Sequence, residues 1–149
     1  MPKVTIVRGI SGAGKTTFAE TNYPDAVVVA ADDAHVDSDG VYRFDLALAG
    51  QAHDMCFSRF CAALAGGSDV VVANTNTSLR EISRYMDPAV AAGFPVEIVS
   101  LFCDPEVGKK RNVHAVPAEV VDRQHATFVQ TTVQMVLPEG VEHRVVVTS

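Results

Sequence analysis

The chain has 149 residues, 48% of them apolar and 20% charged, and its 12 basic against 18 acidic side chains give a formal net charge of −6. That apolar share supports a buried core and excludes wholesale disorder, at the length of one ordinary domain. The acidic balance argues against a sequence-independent nucleic-acid coat, which needs a broad basic face, but not against an enzyme that grips one strand end or one nucleotide locally.

Apolar, β-branched runs alternate with helical patterns along the whole chain. Strands are expected at Lys3–Arg8, Ala26–Ala31, Asp69–Ala73, Pro95–Phe102 and His143–Thr148. They are nearly continuous in Val and Ile, the pattern of strands covered on both faces. Helices are expected at Lys15–Asn22, Asp45–Ala65, Leu79–Ala92, a short Pro105–Asn112 and Pro117–Val136. In the second, Phe57, Phe60, Cys61 and Leu64 recur at helical spacing and should face the sheet, with Cys56 and Cys61 in the core. Pro105, following Asp104, and Pro117 both suit a helix start.

This alternation predicts an α/β fold, a single doubly wound domain over residues 1–149 with a five-stranded, mainly parallel sheet. No apolar run approaches the roughly 18 residues that span a bilayer, and the N-terminal segment leaves no room for a secretory signal. The three cysteines, Cys56, Cys61 and Cys103, lack a CxxC spacing and indicate neither a disulfide framework nor a zinc site. A cytoplasmic protein without a membrane partner is expected, as a monomer or small homo-oligomer.

The chemistry is concentrated after the first strand. Gly9-Ile10-Ser11-Gly12-Ala13-Gly14-Lys15-Thr16 fills GxxxxGK[ST] without a mismatch, between a predicted strand and a predicted helix. Chance gives roughly one such match in a few hundred chains, and the strand-before, helix-after context lowers that further. The glycines let successive backbone N–H groups point at phosphate oxygens, and the helix start adds its positive end. Gly9, Ser11, Gly12, Ala13, Gly14, Lys15, Thr16 and Thr17 are therefore the expected ATP-binding residues. Lys15 should reach the β- and γ-phosphates and Thr16 should ligate Mg²⁺.

The rest of the motif set separates a kinase from a motor or switch. An ATPase of the latter kind carries a carboxylate at the tip of its third strand, where this chain runs into Asn74-Thr75-Asn76-Thr77. The carboxylates stand instead after the second strand, as Asp32-Asp33. All carboxyl strand ends of a doubly wound sheet open onto one crevice, so Asp32 is placed to accept a proton from an acceptor hydroxyl, with Asp33 near the metal. The bland alternative is a solvated acidic loop, since Glu20, Asp25, Asp37, Asp39, Asp45 and Asp54 surround the pair. Lys109-Lys110-Arg111 form a basic cluster in an acidic chain, either an exposed helix end or a mobile lid whose Arg111 neutralises charge on the transferring phosphoryl group. His35 and His114 flank these motifs as candidate acceptor contacts, while His53 is as easily structural. Tyr42, Phe44 and Tyr85 are candidate stacking surfaces, each as readily core.

Taken together, these motifs resemble the small P-loop kinases related to the kinase domain of phage polynucleotide kinase. The resemblance runs through the P-loop, the Asp32-Asp33 pair, the Asn74-Thr75-Asn76 turn and the Lys110-Arg111-Asn112 segment with its downstream Val116-Pro117, over roughly residues 3–135. Tyr42-Arg43-Phe44, Ala52-His53 and Arg111 through Pro117 look like a stand-alone branch of that group, a class that includes phage 5-hydroxymethyluracil DNA kinases. The resemblance implies ATP and Mg²⁺, Asp32 as base and Arg111 as lid arginine; Asn74, Asn76, His35, Tyr42 and His114 are candidate acceptor contacts. Two positions depart from it. The polynucleotide kinase has Asp where this chain has Asn74, and Arg where this chain has His35, so 5′-end specificity does not carry over directly. The expected acceptor is a hydroxyl on nucleic acid, DNA ahead of RNA, either a 5′ end or a hydroxymethyl group on a base. A small-molecule kinase is the alternative, and a non-catalytic nucleotide switch a third reading.

Overall fold

The computed structural model describes residues 1–32, 49–112 and 115–148. The elements in chain order are β1 (Val4–Arg8), α1 (Lys15–Asn22), β2 (Val27–Val29), α2 (Ala49–Ala65), β3 (Val70–Ala73), α3 (Leu79–Ala91), β4 (Val96–Cys103), α4 (Pro105–Lys110), α5 (Ala118–Gln134) and β5 (Glu142–Thr148). The strands form one sheet in the order β2-β3-β1-β4-β5, and every neighbouring pair is parallel. β1 lies centrally, paired with β3 on one side and β4 on the other, so the strand order reverses at β1. A doubly wound sheet opens its ligand crevice at that point.

Alternation along the inner strands separates two cores. Val4, Ile6, Val70, Val72, Val96 and Ile98 pack with Ala52, Cys56 and Phe60 of α2 and Ile82, Tyr85, Met86 and Ala89 of α3. Val7, Val71, Val99 and Leu101 join a second cluster with Ala19 of α1 and Val121 and Phe128 of α5. The aromatic part of the first cluster is tight, with the Phe60 and Tyr85 rings edge to face at 5.1 Å and Phe57 stacked on Phe60 at 5.8 Å. α3 is started by a capping box in which the Ser78 hydroxyl accepts from the Glu81 N–H at 3.3 Å.

Two expectations are corrected. Strands covered on both faces are found only in the interior of the sheet. The edge strand β5 alternates between exposed and half-buried, with Val145 52% and Val147 74% exposed, while Val146, on the other face, packs against the core. β2, at the other edge, is likewise only partly covered. Cys61 is exposed, whereas Cys56 is buried. Cys61 follows Phe60 by one residue, about 100° round the helix, and falls on the solvent side. Of the two readings of Tyr85, stacking surface or core, the structure has core, at 2% exposed. The helix expected from Asp45 is described from Ala49 onward, and no described helix is long and apolar enough to cross a membrane.

Candidate active site

The P-loop joins the end of β1 to the start of α1 at the strand-order reversal. Gly12 and Gly14 both hold left-handed backbone, with φ 83° and 88°. For Gly12 the conformational need is joined by a steric one. A Cβ there would lie 2.1 Å from the carbonyl oxygen of Gly108 in α4, whereas a Cβ on Gly14 would meet nothing within 4 Å. Gly108 is constrained reciprocally, since its Cβ would lie 2.8 Å from the Ser11 oxygen and 2.9 Å from Ile10 Cδ1. The P-loop and α4 therefore touch backbone to backbone.

The loop's own polar groups are arranged for an anion. The Lys15 ammonium turns back over the loop and donates to the carbonyls of Gly9 at 3.1 Å and Ile10 at 2.9 Å. Burial lowers its pKa to about 8, opposed first by nearby Asp32 and then by Cys103. Ala13 N–H closes a turn onto Ile10 O, and Phe18 N–H begins the α1 ladder on Gly14 O. The N–H groups of Gly12, Gly14, Lys15, Thr16 and Thr17 are given no backbone acceptor among the described residues. Five donors and an ammonium around one turn fit a polyphosphate chain. Thr16 and Thr17, in the exposed first turn of α1, can offer hydroxyls to a metal or a phosphate. Among the described residues there is no cluster of three or more His, Cys, Asp or Glu that could hold a metal.

Two strand tips lie beside the P-loop. Asp32 is exposed just beyond β2, close enough for its charge to act on Lys15. Asn74, beyond β3, is buried, and its Oδ1 accepts the Ala31 N–H at 2.8 Å while its Nδ2 donates to Cys56 Sγ at 3.6 Å. Asn74 thus fixes the backbone next to Asp32. Thr75 O accepts the Gly9 N–H at 3.1 Å, tying the same turn to the P-loop. Asn76 holds a positive φ of 42°, is 3% exposed, and its Nδ2 has no hydrogen-bond partner among the described residues. A strained, buried and unpaired amide at a strand tip is a feature associated with functional sites. Asp33, His35, Tyr42, Phe44 and His114 lie outside the described residues. His53 is exposed.

The basic segment divides its labour. Lys109 is committed to structure, with Nζ 2.8 Å from Glu106 and 2.9 Å from Asp122 of α5. Lys110 and Arg111 are exposed at the end of α4, where Arg111 forms the C-cap. The root of this segment is pinned by Gly108, so any movement of a lid belongs beyond it.

Two residues that the sequence did not single out bind the site together. Arg8, the last residue of β1, is fully buried. It donates to Asn76 O at 2.9 Å, Thr77 O at 3.1 Å, Ser100 Oγ at 2.8 Å, Thr132 Oγ1 at 2.6 Å and Phe128 O at 3.3 Å. Its guanidinium also lies 4.2 Å from the Phe128 ring centroid. Five acceptors and no carboxylate within ion-pair distance among the described residues explain why burial lowers its pKa to about 10, with Glu81 opposing. The available signal was a cation ending an otherwise apolar strand. The second residue is Gln124 of α5, whose Oε1 accepts the Ser11 N–H at 2.9 Å. No local pattern marks it.

A family model described as an AAA domain, AAA_33, matches residues 4–131. Human NEDD4-binding protein 2 is 29% identical over 156 residues, covering 93% of this chain but 8% of that protein, so the chain spans less than a tenth of that relative. Among solved structures, one in the Pnkp1/Rnl/Hen1 RNA repair complex superposes with a TM-score of 0.71 at 20% identity, over 90% of this chain and 46% of that one. A gluconokinase from Sinorhizobium meliloti 1021 superposes with a TM-score of 0.59 at 17% identity, over 97% of this chain and 82% of that one. At these identities the superpositions speak for the fold, which is that of a P-loop kinase domain.

Proposed function

The chain belongs to the AAA_33 family of AAA domains, and from that premise we propose that it is an ATP-dependent kinase transferring a phosphoryl group to a hydroxyl on nucleic acid. The observation that carries the reading is the exchange of strand-tip chemistry. The β3 tip, where a motor or switch ATPase keeps its carboxylate, holds the buried amide of Asn74, and the carboxylate near Lys15 is Asp32 at the β2 tip. A base on that side serves an organic acceptor better than it serves hydrolysis.

In this reading ATP, with Mg²⁺, supplies an activated phosphoryl group. The P-loop amides and Lys15 hold the phosphates, and Thr16, with Asp33, serves the metal. Asp32 accepts the proton of the acceptor hydroxyl and orients its oxygen. Asn74 holds the Ala31–Asp32 backbone so that this carboxylate keeps its place. Arg111 places a cation toward charge that redistributes in the transition state. Asn76, His35, Tyr42 and His114 are proposed on the acceptor side, and the whole of residues 1–149 as the kinase domain.

A 5′-OH end and a hydroxymethylated base remain the two acceptor chemistries, and similarity to a chain of an RNA repair complex supports including RNA ends. A small-molecule acceptor is the second reading, favoured by the net charge of −6. The test offers γ-labelled ATP and Mg²⁺ with 5′-OH DNA and RNA oligonucleotides, a 5′-blocked oligonucleotide carrying internal 5-hydroxymethyluracil, and mixed nucleosides and sugars. Label in an oligonucleotide is the expected outcome and identifies end or base. Label only in the small-molecule pool overturns the nucleic-acid assignment.

A further inference from the structure

The P-loop, α4 and α5 form a closed triangle of contacts. The P-loop meets α4 where Gly12 and Gly108 exclude each other's side chains. α4 meets α5 through Lys109, whose Nζ is 2.9 Å from Asp122. α5 returns to the P-loop through Gln124, whose Oε1 takes the Ser11 N–H at 2.9 Å. Asp122 and Gln124 are two residues apart on one helix, so the second and third contacts share a short rigid lever. Ser11 and Gly12, the two P-loop residues gripped, are adjacent in the chain, and Gly12 offers one of the amides left for phosphate.

We propose that Gln124 is a positioning residue that couples occupancy of the P-loop to the seat of the basic α4 segment. The inference rests on the kinase reading for its ligand, and on the triangle for its mechanism. An acceptor at Gln124 holds Ser11, and with it the orientation of the following amide, in the conformation that receives phosphate. Phosphate binding stiffens residues 11 and 12, and Gln124 passes that stiffening through α5 to Lys109, directly before Lys110 and two residues before Arg111. A residue that merely filled space would carry neither effect, because the link is one oriented hydrogen bond to a main-chain donor, and losing its acceptor leaves that donor unpaired.

The test compares the wild-type chain with Gln124→Met, which keeps the length of the side chain and removes the amide acceptor, and Gln124→Glu, which keeps an acceptor oxygen. Amide hydrogen exchange is followed with and without a non-hydrolysable ATP analogue, and its affinity is measured by calorimetry. In the free protein, Gln124→Met is expected to speed exchange of the Ser11 amide about tenfold, while Gln124→Glu retains most of the protection. Gln124→Met should also weaken analogue binding about tenfold and, at saturating analogue, lose the added protection over residues 105–112 seen in wild type. Unchanged exchange and affinity in Gln124→Met overturn the proposal, as does protection of α4 that survives without the acceptor. If Gln124→Met fails to fold, the proposal stands or falls on Gln124→Glu, whose loss of Ser11 protection overturns it. Absence of analogue binding in wild type instead overturns the kinase reading, and the inference with it. Binding without transfer to any acceptor leaves the coupling measurable and rejects only the acceptor assignment.

Discussion

At the scale of single residues, the proposed kinase reading gives Lys15 and Asp32 separable duties, phosphate binding and proton acceptance. Lys15→Ala removes the one ammonium in the P-loop and should abolish both ATP binding and transfer. Asp32→Asn removes the base and should abolish transfer while leaving ATP affinity nearly intact. Calorimetry alongside a transfer assay distinguishes them, and equal loss of binding in both variants contradicts the division. Lys15 also predicts a pH signature. Its pKa is lowered to about 8 by burial, and phosphate oxygens would raise it again by favouring the charged form. Binding therefore takes up a proton above about pH 8, and ATP affinity falls by up to about tenfold per further pH unit until the raised pKa of the complex is reached. Calorimetry in buffers of different ionisation heat should show no proton uptake at pH 6.5 and uptake at pH 8.5. Its absence at the higher pH means that Lys15 does not titrate there.

At the scale of elements, the contact between the P-loop and α4 and the junction made by Arg8 decide where the site is stiff. Gly12→Ala sets a Cβ 2.1 Å from the Gly108 oxygen, on backbone at φ 83°, and should lower the melting temperature and abolish ATP binding. Gly14→Ala adds a side chain in open space, so it bears only the conformational cost of about 1–2 kcal/mol. Paired melting curves and binding isotherms test that ranking, and equal effects would show that backbone strain, not the clash, governs both. Arg8 ends β1 yet holds the turn after β3, Ser100 of β4 and two residues of α5. Arg8→Met keeps the bulk but orphans these acceptors. It should destabilise the chain by about 3 kcal/mol or more in urea unfolding, and a change below 1 kcal/mol would mean that water replaces the guanidinium at little cost.

At the scale of the whole molecule, the proposed action on nucleic acid requires an acidic protein to meet its acceptor over a small area. With a net charge of −6, extended contact along a backbone is disfavoured. The KM for an oligonucleotide should therefore depend weakly on salt, with a log–log slope corresponding to about two or three phosphates. A slope of eight or more would require a broad basic face, and a flat line would favour a small neutral acceptor. The sheet sets this geometry, because every strand is parallel and all carboxyl ends, with Lys15, Asp32, Asn74 and the α4 segment behind them, lie along one edge.

Local chemistry in the sequence was enough for the elements and the phosphate loop. Helices and strands announce themselves through periodicity over a few residues, and GxxxxGK[ST] is a contiguous motif whose backbone geometry follows from its glycines. Their order, with a loop after the first strand, already implied a doubly wound sheet and a crevice at its carboxyl edge. Pairwise placement was decided only on folding. Which strand faces were left uncovered, as at Val145 and Val147, depends on neighbours rather than on hydrophobicity. Cys61 fell outside the core because one helical step past Phe60 turns it to solvent. Gln124 was invisible for the same reason, and Arg8 showed only as a cation ending an apolar strand. Their partners lie far along the chain, Gln124 being 113 residues from Ser11, and a hydrogen bond between distant residues leaves no period, spacing or composition behind it.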